Sequence, residues 1–179
     1  LSYNSLRLVK QKNYVIAAGI CLEDIARLLP GLPLIPEPEI SFPQADSMPR
    51  IINLIELLAE TPLTKQDITS QYAFDERQTN YYTDAGRYLG FLQKWKDEYN
   101  NIWFHLSPDG SCIMNLPYRE RLIQIASRIL MHKVFREVFI LYLNYRQMPD
   151  TKTIVPIMRR SGLYRVESES TFIRRASTV

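Results

Sequence analysis

The sequence predicts a mainly α-helical chain with one small β-hairpin, an α+β arrangement in which one helical module is followed by a partial second. Three observations predict it. Apolar residues recur every three or four positions from Ile51 onward, the spacing that lines one face of a helix. Two short runs, Gln93–Tyr99 and Ile102–Leu106, flank Asn100-Asn101, and Asn tolerates the positive φ of a tight turn. The order of helix, break, short helix, glycine turn and polar-capped helix then returns in the last third.

Taken in order, the first feature is a connector. Pro30, Pro33, Pro36, Pro38, Pro43 and Pro49 are six of the eleven prolines. Each lacks an amide donor and biases its predecessor to extended backbone. The apolar Leu32, Leu34, Ile35, Ile40 and Phe42 predict that this segment lies against a surface. Ile51, Ile52, Leu54, Ile55, Leu57 and Leu58 make the inward stripe of a first helix, which Thr61-Pro62-Leu63 ends. Thr64, with Asp67 three residues on, is the N-cap of a second helix running to about Tyr72. Asp75 caps a third, to about Tyr88, with Tyr81, Ala85, Tyr88 and Leu89 inward and Gly90 supplying its C-terminal turn. The hairpin follows, with Trp95 and Trp103 expected to pack it onto the helices, and Ser107-Pro108-Asp109-Gly110 reads as a turn.

Pro117 opens a helix with Leu122, Ile123, Ile125, Ala126, Ile129 and Leu130 inward, and Val134–Tyr145 forms the next. Met148-Pro149-Asp150 breaks it. A short helix spans Thr151–Arg160, ended by Ser161-Gly162-Leu163; Pro156 inside it is out of place, since proline is tolerated only in a first turn. Ser168 or Ser170 caps a last, basic helix that reads as cut in mid-course at Val179, so a further portion is expected beyond it. The division is residues 1–48 as N-terminal segment with connector, 49–116 as first module, and 117–179 as an incomplete second.

Composition and charge narrow the function. At 46% hydrophobic and 23% charged, the 179 residues are those of a folded protein, and no run of about 18 apolar residues forms a spanning helix. The formal charge of +3 hides an asymmetry: residues 1–48 carry net −1, 49–116 net −3 and 117–179 net +7. Such a basic third suits a polyanion if its charges share a face. Cys21 and Cys112 are read as buried free thiols, and His105 and His132 are too far apart in sequence for a zinc motif. Tyr14–Leu22 has the look of a signal-peptide core, but Glu23 and Asp24 follow where small residues should mark cleavage. The segment is therefore assigned to the fold, and a cytoplasmic location is the default.

Helix, helix, helix, strand, turn, strand, with Leu89-Gly90-Phe91 leading into the hairpin and Trp103-Phe104-His105-Leu106-Ser107-Pro108-Asp109-Gly110 closing it, resembles a winged helix. The second segment resembles the same fold up to its third helix, which gives tandem winged-helix modules, the second incomplete. Phe74 to Phe91 and Ser170 to Val179 further resemble the tandem winged-helix, DNA-reading part of type II restriction endonucleases and related restriction–modification proteins. The resemblance implies sequence-specific binding of double-stranded DNA, with a nuclease domain elsewhere. A winged-helix regulator, acting as a homodimer, and a protein–protein scaffold are the alternatives.

In helix-turn-helix logic the third helix of each module enters the major groove N-terminus first. The first module offers Arg77, Gln78, Thr79 and Asn80, with Thr83 and Arg87 further along: Arg reads guanine, and Gln or Asn reads adenine. The plainer reading is a solvated helix face, and Asp75, Glu76 and Asp84 repel phosphate. The second module offers Ser168, Ser170, Thr171, Arg174, Arg175 and Thr178, with Lys152, Arg159, Arg160 and Arg165 adding charge. Its basic excess makes it the expected main contact. No Gly-rich phosphate loop or Gly-x-Ser-x-Gly occurs, and Asp150-Thr151-Lys152 lacks the spaced upstream acid of a nuclease. No catalytic or metal-binding residue is assigned, and Mg2+ is expected only with a nuclease domain elsewhere.

Overall fold

The computed structural model describes residues 19–72 and 74–179. It is mainly helical with a small antiparallel sheet. Helix α1 spans Leu22–Ala26, and a 3-10 turn spans Leu29–Gly31. Then come α2 (Met48–Glu60), β1 (Leu63–Thr64), α3 (Lys65–Tyr72), α4 (Glu76–Tyr88), β2 (Leu92–Lys96) and β3 (Ile102–Leu106). The chain continues with α5 (Pro108–Met114), α6 (Tyr118–Leu130), α7 (Lys133–Tyr145), α8 (Thr151–Arg160) and α9 (Glu169–Ala176). Among the described residues the one sheet has the order β1-β3-β2, with Leu63 opposite Phe104 and Trp95 opposite Trp103.

The caps explain most boundaries. Thr64 and Asp67 exchange hydrogen bonds at the head of α3 (Asp67 N to Thr64 Oγ1, 3.1 Å; Thr64 N to Asp67 Oδ2, 3.0 Å). Asp75 caps α4, Asp150 caps α8 and Ser168 caps α9, each accepting from the backbone N–H three residues on. Gly90 ends α4 at φ +79°, and Asn100 turns the hairpin at φ +65°.

Several expectations are corrected. Ser107-Pro108-Asp109-Gly110 is the start of α5: Ser107 Oγ accepts from Gly110 N at 2.9 Å, and Pro108 takes the first helical position, where no N–H is needed. Tyr82 and Tyr88 are the buried tyrosines of α4, and Tyr81 is half-buried. Trp95 and Trp103 stack on each other on the outer sheet face, centroids 5.7 Å apart, instead of packing the hairpin onto helices. Helix α8 runs through Pro156, which is exposed, so its ring displaces no core side chain. Helix α9 ends at Ala176, with Ser177 as C-cap, and is not cut at Val179. Both cysteines are exposed. Most of Tyr14–Leu22 lies outside the described residues.

The proline-rich segment is a strap. Phe42 is buried, stacked on Phe135 of α7 (5.3 Å) and edge-on to Tyr88 of α4 (5.5 Å). Ile35 N donates to Met131 O (3.0 Å), Arg136 donates to Leu32 O (2.8 Å), and Tyr82 OH donates to Asp46 (2.5 Å). Tyr88 OH donates to Glu37. The strap thus ties the segments before and after residue 117 together, and their apolar residues form one continuous cluster. No described helix is long and apolar enough to cross a membrane.

Candidate nucleic-acid interface

Helix α4 begins against α3, and two threonines make the joint. Thr79 Oγ1 lies 2.8 Å from Thr69 Oγ1, and Thr83 Oγ1 donates to Thr79 O at 2.8 Å. Both are fully buried, so neither Thr79 nor Thr83 faces a duplex. Gln78 is half-buried and closes the capping box, its Oε1 accepting from Asp75 N at 3.3 Å. Arg77 and Asn80 are exposed, three residues apart and so on one face. The Arg77 guanidinium lies over the Tyr81 ring (5.3 Å) and its Nε donates to Tyr81 OH. Arg87 is paired with Asp84 at 2.7 Å. Of the six residues expected on this helix, Arg77 and Asn80 are the ones presented to solvent without a carboxylate partner.

The C-terminal candidates divide in the same way. Ser168, Ser170 and Thr171 form a hydroxyl cluster at the head of α9, with Ser168 Oγ 2.8 Å from Thr171 Oγ1 and 3.2 Å from Ser170 Oγ. Ser170, Arg174 and, on α8, Lys152 are exposed. Arg175 is a correction: it is buried and donates to Phe42 O of the strap. Burial holds its pKa below the usual arginine range, the Arg174 charge lowers it further, and Asp84 and Tyr81 of α4 oppose both. That arginine is an interior strut between the strap and the neighbourhood of α4.

Half of the twelve bases in the last third meet carboxylates. Arg159 meets Glu169, Arg160 meets Glu137, Arg128 meets Asp109, and Arg121 meets Glu56 at 3.0 Å. Arg119 lies 3.8 Å from Asp24. Charge counting cannot foresee this, because it ignores which acid each base folds against.

One feature was not anticipated. A groove of about 310 Å³ runs between α3, the head of α4 and the hairpin turn, lined by polar residues that include Lys65, Thr69, Ser70, Asn100 and Asn101. Lys65 is paired with Glu76 across it at 3.3 Å. The sequence signal was the Asn100-Asn101 turn, both of whose residues line the groove. Among the described residues, no group of His, Cys, Asp and Glu is placed to hold a metal ion.

A protein-family model described as a domain of unknown function (DUF7226) matches residues 50–179. No curated protein and no solved structure matches the chain.

Proposed function

For a chain that belongs to the family described as a domain of unknown function (DUF7226), we propose double-stranded DNA binding, with α4 reading base edges and β2–β3 as a wing. The observation that carries the reading is connectivity. The order α2, β1, α3, α4, β2, β3, with β1 and β2 both antiparallel to a central β3, supports a winged-helix reading. Arg77 and Asn80 at the front of α4 have the chemistry for guanine and adenine. The groove beside them, with Lys94 and Lys96 on the hairpin, suits phosphate. The second helical set, α7 to α9, is the partial second module; its duplex contacts are Lys152, Ser170, Thr171 and Arg174.

Selection from a randomised duplex pool, followed by anisotropy titration, tests this. Affinity should fall steeply with salt. Arg77→Ala and Asn80→Ala should each relax preference at one position by about 1–3 kcal/mol. Lys152→Ala and Arg174→Ala should weaken binding to all sequences alike, whereas Arg175→Ala should lower stability and leave preference unchanged. Duplex binding that is undetectable at low salt, or indifferent to salt, overturns the proposal. The resemblance extends the reading to the target-recognition part of a type II restriction enzyme; divalent-ion-dependent cleavage by the full gene product tests that extension. The internal pairing of Arg128, Arg159 and Arg160 favours a protein-docking scaffold as the second reading, and it stands if no duplex binds.

A further inference from the structure

The small sheet is open on one side. Its strand order is β1-β3-β2, so β3 is bonded on both sides and β2 on one. In an antiparallel ladder, alternate residues turn their N–H and C=O to the same neighbour. The two ends of the β2–β3 ladder show which residues those are. Ser107 N donates to Phe91 O at 2.8 Å, and Asp97 N donates to Asn101 O at 3.1 Å. The odd-numbered residues, Gln93 and Trp95 among them, therefore bond β3. Lys94 and Lys96 turn their backbone groups to the free edge, and no described backbone group meets them there. Both are exposed, whereas Leu92 at the start of the strand is buried beside Gly86 of α4.

An edge with unpaired N–H and C=O groups is a template for one more strand, and its side chains select which. Cross-strand partners share a face. Lys94 is opposite Phe104 and Lys96 opposite Ile102, so the two lysines lie on one face. They form none of the ion pairs among the described residues. Asp97, next in sequence, is engaged inside the turn, accepting from the backbone N–H of Tyr99 and Asn101 and from Trp103 Nε1. Trp95 lies on the other face, stacked on Trp103 and 39% exposed. An added strand therefore meets two unpaired cations on one face and an indole on the other. Successive residues of a strand change face, so its complement alternates acidic and apolar residues. A second copy of β2 fits badly. Antiparallel self-pairing centred on Lys94 or on Trp95 sets lysine opposite lysine, and like charges directly opposite repel.

We propose that the free edge of β2 takes an extended acidic peptide as an added strand, its acidic side chains over Lys94 and Lys96 and an apolar one against Trp95. The duplex reading gives the same two lysines to phosphate, so peptide and duplex would exclude one another, but peptide binding does not depend on that reading. The probe is a fluorescein-labelled peptide of about seven residues alternating Glu and Val, long enough to cover the strand. Anisotropy should rise at low salt, with affinity falling as salt screens the lysines. Lys94→Gln combined with Lys96→Gln should weaken binding about tenfold. Both lysines are exposed, so the double variant should keep the wild-type circular dichroism. In amide hydrogen exchange, saturating peptide should slow Lys94 and Lys96 by about tenfold or more and leave Gln93 and Trp95, already bonded to β3, little changed.

N-methylation of alternate peptide residues separates backbone pairing from plain charge attraction. One of the two alternate sets should bind about tenfold more weakly and the other as the parent peptide does, because one set of N–H groups turns to β2. Equal affinity of the two methylated sets overturns the proposal. So does equal affinity of the double variant and the wild type, or no peptide binding at low salt. A solution mass of two copies without peptide, with Lys94 and Lys96 already protected, assigns the edge to a second copy and overturns it too. Arg77→Ala should leave peptide affinity unchanged, and no duplex enters these measurements, so the edge site and the duplex reading can fail separately.

Discussion

His132 has no exposed surface, and neither ring nitrogen has a hydrogen-bond partner. Its ring stacks on that of Tyr88 at 4.4 Å. Burial, aided by the Arg128 charge, pushes its pKa down to about 4 from an ordinary 6.5. The folded protein therefore keeps this imidazole neutral at pH values where the unfolded chain has already taken the proton. The stability so linked is complete above pH 6.5 and is lost as pH falls through 6.5 toward 4, to a limit of about 3 kcal/mol. Glu37, which accepts from Tyr88 OH, has the opposite sense: burial raises its pKa, so its linkage is lost as pH rises through the raised value. Urea unfolding at neutral pH and near pH 5 should show the loss, and His132→Phe should flatten it. A variant whose pH profile overlays the wild type would refute the assignment. Burial of this histidine was hidden in the sequence, because a polar residue between helices is ordinarily outside.

At the scale of elements, the contact of α5 with the start of β2 has almost no slack. Ser107 N donates to Phe91 O at 2.8 Å, and Ser107 Oγ donates to Gly90 O at 2.6 Å. A Cβ on Gly110 would fall 2.2 Å from that same Phe91 carbonyl oxygen, whereas one on Gly31 would meet nothing within 4 Å. Gly110→Ala should therefore destabilise by about 3 kcal/mol and Gly31→Ala should be nearly neutral. Equal denaturation midpoints for the two would refute the close approach. Helix ends were legible at the caps Asp75 and Gly90 and at the breaks Met148-Pro149-Asp150 and Ser161-Gly162-Leu163. Ser107-Pro108-Asp109-Gly110 was misread because a capped first turn and a free turn use the same residues. The site was half legible. Arg77 and Asn80 followed from position on the helix, but Gln78 and Thr79 lie one step around it, toward the N-cap and α3. Which side faces α3 is decided by a contact across ten residues, Thr69 to Thr79, that periodicity does not contain.

At the scale of the molecule, the matched family region begins at residue 50 and so excludes the strap. A 50–179 fragment would lose Phe42 from between Tyr88 and Phe135 and leave Arg175, Tyr82 and Arg136 without acceptors they have in the longer chain. Removing a buried Phe side chain alone costs about 3–5 kcal/mol, and each orphaned buried donor adds about 1–3 kcal/mol. That fragment should be unfolded or poorly soluble, while the 179-residue chain should unfold cooperatively in urea; a fragment with an equal midpoint would show the strap to be dispensable.

The strap also sets an order of events during synthesis. The carbonyl of Phe42 waits for Arg175, 133 residues later in the chain. At about 10 residues per second, that is on the order of ten seconds of translation during which Phe42 has left the ribosome without its last partner. Helices α2 to α5 can assemble in that interval, but a segment made earlier is locked by one made later. A nascent chain stalled before α9 would keep its proline-rich segment open to proteases that the finished protein excludes.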